Sequence, residues 1–346
     1  MKHHVMDMTV PQLTGALAEL HQPPFRARQV AKWVWQKHVT DFADMTNLSA
    51  GLRAELAEQL VILTARLAAR SDASDGTIKL LLELVDGECV ECVAIPAGDR
   101  LTACVSCQVG CAVGCSFCAT PLDGLKRNLT AGEIVEQVFW LQAAASRRVT
   151  NVVFMGMGEP LANYDATLAA VRAMIDPDRL GLSARHVTVS TVGLPKQIRR
   201  LAGEDIPITL AISVHAPNDA LRRRLIPLAT RHSLADVISA AKAFYQTRHR
   251  EVTLEYVLLS GVNDSPDCAD ELAGIATQLR CNVNVIRYNP VEGLEFSSPD
   301  DKACKAFVER LGRRGANAHL RTGRGLDVSA ACGQLRQSAK HQETTR

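Results

Sequence analysis

The sequence predicts an α/β fold: six strand–helix units forming a parallel sheet or open barrel with helices outside, preceded by a helical segment and a β-hairpin. Three observations predict it. Short apolar runs near 101–105, 151–155, 186–190, 208–213, 252–258 and 282–288 alternate with helical patterns. Consecutive units of one kind favour a barrel over a doubly wound sheet. A chain of 346 residues, 47% hydrophobic and 22% charged, has room for a large core without disulfides or structural metal.

The elements follow in order. Residues 1–70 read as helical, since Val30, Trp33 and Val34 lie on one side of a segment opened by Pro23 and Pro24. Leu52, Leu56 and Leu60 then recur at four-residue spacing. Arg26, Arg28, Lys32 and Lys37 in this part face either a polyanion or water. The runs 78–85 and 89–95 flank Asp86 and Gly87, and Asp-Gly supplies the positive φ of a tight hairpin turn. Among the later helices, 131–145 is the clearest. Ile134, Val138, Leu141 and Ala145 share one face, and Thr130 with Glu133 forms a capping box.

Composition excludes several functions. Aromatic residues at 4% leave few stacking surfaces, which weighs against a passive single-strand binder. Residues 101–122 carry no charge, yet Gly110, Gly114, Gln108, serines, threonines and five cysteines interrupt any membrane span. MKHHVMDMTV has neither apolar core nor cleavage site, so no signal peptide is expected. Eleven cysteines, an odd number, then imply reduced thiols in the cytoplasm. Residues 301–346 hold ten Lys and Arg against four acids, a local +6 within a chain of +2. That segment is either a phosphate-binding face or a solvated helix face with a frayed tail.

Cys104, Cys107, Cys111, Cys115 and Cys118 admit two metal readings. Cys104, Cys107, Cys115 and Cys118 would form a four-thiolate zinc site, although the gap between the pairs is short for one. Alternatively, Cys111-x-x-x-Cys115-x-x-Cys118 supplies three thiolates to a four-iron cluster and leaves one iron free for a ligand. Gly156 to Glu159 follow one expected strand, Ser190 ends the next, and Ser213, Val214, His215 and Asn289 follow later ones. Barrel enzymes build their sites on loops at the carboxyl ends of strands, so these residues should converge.

The CxxxCxxC spacing with Phe117 resembles the signature of the radical S-adenosylmethionine (SAM) superfamily. Over residues 20–336 the chain resembles the RlmN/Cfr family of radical SAM adenosine methyltransferases. The motifs are CVSCQVGCAVGCSFCAT at 104–120, RNLTAGEI at 127–134, VFMGMGEPLAN at 153–163, VTVSTVGLP at 187–195, AISVHAPND at 211–219, IRYNP at 286–290 and AACGQL at 330–335. The resemblance implies a radical SAM partial (β/α)6 barrel over 101–336, ending in a methyl-carrier segment. It also implies a helical RNA-binding accessory domain over 1–70, a hairpin extension over 71–100 and a flexible tail over 337–346.

The resemblance further implies roles. Cys111, Cys115 and Cys118 hold one 4Fe-4S cluster; Gly158, Glu159, Ser190, Ser213, Val214, His215 and Asn289 hold SAM, of which two are used per turnover. Cys332 is methylated by the first SAM, and a deoxyadenosyl radical from the second removes hydrogen from that methyl group. The methylene radical adds to adenine, Glu91 accepts the ring proton, and Cys104 forms a disulfide with Cys332 to free the product. Because the thiolate is the reactive form, the surroundings of Cys332 are expected to lower its pKa. Implied partners are 23S rRNA, tRNA and an electron donor such as flavodoxin or ferredoxin, with no membrane and a monomeric protein. The target base must leave its stack, and Arg321 and Arg324 are candidates for holding phosphate near Cys332. GMGEPLAN with Pro160 looks like the C2 branch, RlmN, whereas Leu125 and Arg287 look closer to the C8 branch, Cfr. The expected product is 2-methyladenosine, with 8-methyladenosine the alternative and a zinc-stabilised RNA-binding protein the alternative of another class.

Overall fold

The computed structural model describes residues 2–336; the tail expected over 337–346, with Lys340, Glu343 and Arg346, lies outside the described residues. The amino-terminal part comprises β1 (His3–His4), α1 (Val10–Glu19), α2 (Phe25–Trp35), α3 (Ala50–Gln59) and β2 (Leu60–Val61). An antiparallel meander follows: β3 (Arg66–Asp72), β4 (Ile78–Glu83), β5 (Cys89–Ala97) and β6 (Arg100–Cys104). β7 (Gln108–Gly110) and β8 (Leu125–Asn128) pair with each other on either side of the cysteine loop. Strands and helices then alternate through α4 (Ala131–Ala145), β9 (Asn151–Phe154), α5 (Tyr164–Ile175), β10 (Val187–Thr191), α6 (Pro195–Gly203) and β11 (Thr209–Ser213). The series ends with α7 (Asp219–Leu225), α8 (Leu234–Arg248), β12 (Val252–Leu258), α9 (Pro266–Leu279), β13 (Asn282–Arg287), α10 (Asp301–Arg313) and β14 (Asn317–Arg321).

Ten strands form one sheet in the order β14-β13-β12-β11-β10-β9-β6-β5-β4-β3. β6 is its joint, antiparallel to β5 and parallel to β9, and every pairing from β6 out to β14 is parallel. β14 and β3 are the two edges, so the barrel is open. Leu210, Ala211, Ile212, Leu254 and Tyr256 are buried in β11 and β12, as parallel strands covered by helices require. Helix faces complete the core at helical spacing, for example Cys304, Phe307 and Leu311 on α10.

All six expected strands form, and a seventh, β14, lies beyond them. It is mostly exposed, and an edge strand needs no apolar run to mark it. The helical reading of residues 1–70 is corrected: helix stops at Gln59, and β2 and β3 follow. β3 is an exposed edge carrying Arg66 and Arg70, so its sequence shows no strand alternation. The expected hairpin is present as β4–β5, with Gly87 at φ +80°. The expected capping box is present too: Thr130 Oγ1 accepts from Glu133 N at 3.1 Å, and Glu133 Oε2 accepts from Thr130 N at 2.9 Å.

The amino-terminal part shares the core of the sheet and is bolted to α4. Glu136, buried on α4, accepts hydrogen bonds from Thr64 N, Thr64 Oγ1 and Ala65 N, each at 2.8 Å. Asp7 Oδ1 accepts from Gly132 N at 2.6 Å, in the first turn of α4. Arg28 and Lys32 are exposed one turn apart on α2, and Lys37 Nζ lies 3.5 Å above the Trp33 ring. Among the described residues no helix is long and apolar enough to cross a membrane.

His4 gives this junction a pH dependence. Its Nε2 stands 3.3 Å from Glu136 and 3.0 Å from Ile62 O, and its Nδ1 lies 3.6 Å from Asp7. Burial disfavours the imidazolium, but the Asp7 and Glu136 carboxylates outweigh it and raise the pKa above 6.5. A raised value stabilises the fold fully below pH 6.5, and that contribution is lost as pH rises through the folded-state value. Denaturant unfolding of wild type and His4→Gln should therefore show a stability gap that narrows from pH 6 to pH 8. A gap independent of pH would mean that His4 is not charged in the fold.

Candidate active site

A cavity of about 950 Å³, open to solvent, lies at the carboxyl ends of the parallel strands. Strands β9 to β13 supply its residues: Phe154 at the end of β9 with Met155, Gly156, Gly158 and Glu159 after it, Ser190 in β10 with Val192 after it, and Ser213 at the end of β11 with His215 beyond. Glu255 and Val257 come from β12, and Ile286 to Asn289 from the end of β13. Cys111, Cys115, Phe117, Cys118 and Thr120 form the wall between β7 and β8, and Cys332 and Gly333 enter from the carboxyl-terminal segment.

The backbone around the cavity is specialised. Gly158 has φ +103°, and a Cβ there would meet the Gln108 side chain at 2.6 Å, so only glycine fits. The next residue, Glu159, is buried; its Oε2 accepts from Val192 N at 2.7 Å and its Oε1 from Leu161 N at 2.9 Å. Burial nevertheless raises its pKa, against the pull of these hydrogen bonds. Ser190 and Ser213 bring their hydroxyls within 3.3 Å of each other on neighbouring strands.

His215 takes the left-handed conformation at φ +50°. Its Nδ1 accepts from Val257 N at 3.0 Å, which leaves the proton on Nε2. Burial, and then the Arg222 charge, lower its pKa to about 3, so the ring is neutral at physiological pH. Asn263 supports this arrangement from beneath. Its Nδ2 donates to His215 O at 2.9 Å and Val257 O at 2.7 Å, and its Oδ1 accepts from Leu259 N at 2.7 Å.

Ten of the residues expected at the site line the cavity: Cys111, Cys115, Cys118, Gly158, Glu159, Ser190, Ser213, His215, Asn289 and Cys332. Three do not. Val214 is buried, its N donating to Glu255 O at 3.1 Å. Cys104 ends β6 in the core, close enough for the charge of Cys332 to act on it. Glu91 lies in β5, and it is buried rather than half-solvated as strand pattern alone would have it. Its carboxylate pairs with Lys79 Nζ at 3.0 Å and accepts from Arg336 N at 2.7 Å. That second bond anchors the segment carrying Cys332, together with Ala119 N to Gly333 O and Thr120 Oγ1 to Leu335 O, both 2.8 Å.

The four-thiolate zinc reading is corrected by the same placement. Cys107 points into the core, its Sγ donating to Met157 O at 3.6 Å, while Cys115 and Cys118 line the cavity with Cys111. Among the described residues no three His, Cys, Asp or Glu side chains close on a single metal ion. A 4Fe-4S cluster takes its thiolates at separate corners of a cube, and three soft thiols on one wall of a roomy cavity fit it. All eleven cysteines are free thiols, so the Cys104–Cys332 disulfide is not formed in this structure.

The expected lowering of the Cys332 pKa is also corrected. Cys332 is exposed at the cavity, although neighbouring protein atoms crowd its thiol. That burial, with the nearby Glu255 carboxylate, pushes the thiol up to about 11, only partly offset by Arg321. Glu255 escaped the sequence reading, although an acid within the apolar run of β12 is a signal. Burial raises its pKa against hydrogen bonds from Asn284 and Thr253 and the charge of Arg321. Asn263 and Arg222 carried no such signal, since neither interrupts a pattern.

Much of the carboxyl-terminal positive charge is spent inside the protein. Arg310 and Arg314 both grip Asp270, Arg336 pairs with Asp123 at 2.9 Å, and Arg324 lies 3.7 Å from Asp75. Arg321 acts on Glu255 and Cys332 instead.

Comparison with known proteins bears on this site. Residues 105–271 match the model of the radical SAM superfamily, and residues 3–62 that of the ribosomal RNA large subunit methyltransferase N-terminal domain. The chain is 44% identical to a probable dual-specificity RNA methyltransferase RlmN of Rhodopirellula baltica, over 100% of this chain and 94% of the relative. It is 46% identical to the protein so named in Thermosynechococcus vestitus, over 92% of this chain and 93% of that one. The crystal structure of a radical SAM methyltransferase from Sphaerobacter thermophilus superposes with a TM-score of 0.93 at 45% identity, covering 96% of this chain and 99% of that one.

Asn263 gives a direct test of how the site is held. Asn263→Ala strips partners from three buried main-chain groups and should cost roughly 3 kcal/mol of stability. Because two of those groups belong to His215 and Val257, SAM affinity measured by calorimetry should fall alongside. Unchanged affinity would show that the His215 loop holds its shape without Asn263.

Proposed function

The chain belongs to the RlmN family of radical SAM RNA methyltransferases, and on that footing we propose that it forms 2-methyladenosine in 23S rRNA and in tRNA through Cys332 as methyl carrier. The observation that carries the reading is that Cys332 enters the same cavity as Cys111, Cys115 and Cys118. These three thiols would hold the cluster, and Gly158, Glu159, Ser190, Ser213, His215 and Asn289 would surround SAM. The cluster, when bound, supplies the single electron that cleaves SAM to a 5′-deoxyadenosyl radical. The amino-terminal helices would grip RNA, with Arg28, Lys32 and Lys37 toward the phosphates.

The chain's own residues do the rest. Cys332 takes a methyl group from SAM by displacement, and Asn289 Nδ2, 3.4 Å from Cys332 O, orients its backbone. Burial favours the neutral Cys332 thiol, and the sulfonium charge of SAM would favour the thiolate that attacks it. The deoxyadenosyl radical takes a hydrogen atom from the Cys332 methyl group, and the methylene radical bonds to the adenine ring. Glu91 takes the ring proton, and the unpaired electron left on the ring would return to the cluster. For release, the Cys104 sulfur bonds to the Cys332 sulfur as the S–C bond breaks. The electron pair stays on carbon, which is protonated to a methyl group, and the disulfide is reduced before the next turnover. Arg336 N and Lys79 occupy Glu91 in this structure, so its proton transfer requires the carboxyl-terminal segment to shift.

The test is mass spectrometry of rRNA and tRNA from a methylation-deficient host expressing the protein. The expected product is 2-methyladenosine in both, and Cys332→Ala should reduce it to background while iron content and SAM binding persist. 8-Methyladenosine would replace the C2 assignment with C8. Methylation by Cys332→Ala would end the carrier role.

A further inference from the structure

One buried charge has no part in the reaction so far described. Arg222 on α7 is 1% exposed and heads the fully buried side chains of the protein by size. Its Nη2 donates to Val192 O at 2.5 Å and its Nη1 to His232 O at 3.3 Å. These bonds tie the ends of two loops, and they explain two of the three guanidinium nitrogens. The third, Nε, is buried with no hydrogen-bond partner. A buried N–H left without an acceptor costs stability, so an acceptor that arrives with a ligand is the economical account of it.

The surroundings say where that ligand sits. α7 meets the cysteine loop directly, since Ser116 N and Ser116 Oγ donate to Leu225 O at 3.0 and 3.3 Å. Ser116 follows Cys115, and the Arg222 charge acts on the Cys115 thiol and on the His215 ring. His215 in turn packs edge-on against Phe117, their ring centroids 5.0 Å apart. Asp219, on the same helix, faces Arg222 too, but its Oδ1 is engaged by Leu234 N at 2.7 Å. Burial weakens the guanidinium, yet its ordinary basicity is so high that it stays charged.

We propose that Arg222 is a positioning residue for the cluster held by Cys111, Cys115 and Cys118, donating its free Nε–H to the Cys115 side and favouring the one-electron-reduced state by its fixed positive charge. The proposal rests on the cluster reading above. Reduction adds one electron from an external donor and hence one negative charge to the site. A fixed cation in a poorly polarisable interior stabilises the reduced form more than the oxidised one. Lysine would keep the charge but lose the planar fork that holds both carbonyls.

The experiment is an anaerobic redox titration of reconstituted holoprotein, followed by electron paramagnetic resonance, for wild type, Arg222→Lys and Arg222→Met. At the wild-type midpoint, Arg222→Met with full iron content should show a reduced-to-oxidised ratio lower by roughly tenfold, which is 59 mV for one electron. Arg222→Lys should recover most of that ratio. Coincident midpoints for wild type and Arg222→Met would overturn the proposal and leave Arg222 a purely structural tie. Where Arg222→Met fails to fold, wild type grown on ¹⁵N-arginine decides: pulsed resonance of the reduced cluster should show ¹⁵N hyperfine coupling, and its absence overturns the proposal. Wild type that takes up no iron and gives no cluster signal would remove the cluster reading, and the proposal with it.

Discussion

Parallel pairing from β6 to β13 is the constraint on which the site depends. Strands that run the same way end on the same side, so the loop after each one opens onto a common edge. Residues as distant in the chain as Cys111 and Asn289 meet there without any of them being close in sequence. The antiparallel meander β3 to β6 adds a different element. It brings Glu91 and Lys79 under the carboxyl-terminal segment, where a parallel unit would have put a helix.

The cavity is held by buried polar groups that are nearly all satisfied. Glu159 closes two main-chain turns, Asn263 closes three main-chain groups, and His215 spends its Nδ1 on Val257 N. Such groups cost free energy to bury and repay it only when each donor finds an acceptor. The resulting rigidity sits on the β9 to β13 side. The opposite wall, made of the cysteine loop and residues 330–336, is fastened by bonds that include Ala119 N to Gly333 O and Thr120 Oγ1 to Leu335 O.

Charge is distributed in the same spirit. The basic carboxyl-terminal segment is less of an open phosphate face than its composition implies, because Asp270, Asp123 and Asp75 take up Arg310, Arg314, Arg336 and Arg324. Arg321 acts on Glu255 and Cys332, Arg287 lines the cavity, and the charge of Arg222 acts on Cys115. The cavity thus holds carboxyl groups and thiols whose pKa values burial raises, with the charges of Arg321 and Arg222 acting on its lining from behind. A cationic ligand entering it would shift that balance toward the thiolate of Cys332.

The sequence by itself determined the six strand–helix units, the hairpin at Asp86 and Gly87, the capping box of α4, and several of the polar residues that reach the cavity after the strands, among them Glu159, Ser190, Ser213, His215 and Asn289. These are local in origin: apolar period, turn chemistry and capping act within a few residues, so they can be read without a fold. The cysteine spacing added the loop of Cys111, Cys115 and Cys118, and the family resemblance added Cys332. Only the tertiary structure decided what long-range contact controls. β3 and β14 are edges with little apolar pattern, so partners rather than composition make them strands. Glu91 is buried because the segment 329–336 covers it, and the Cys332 thiol is pushed up because Glu255 and surrounding protein approach it from other elements. Arg222 reads as one of three consecutive arginines, yet it is buried on α7, which packs against the cysteine loop. Burial and electrostatics depend on neighbours brought from far along the chain, and no local pattern records them.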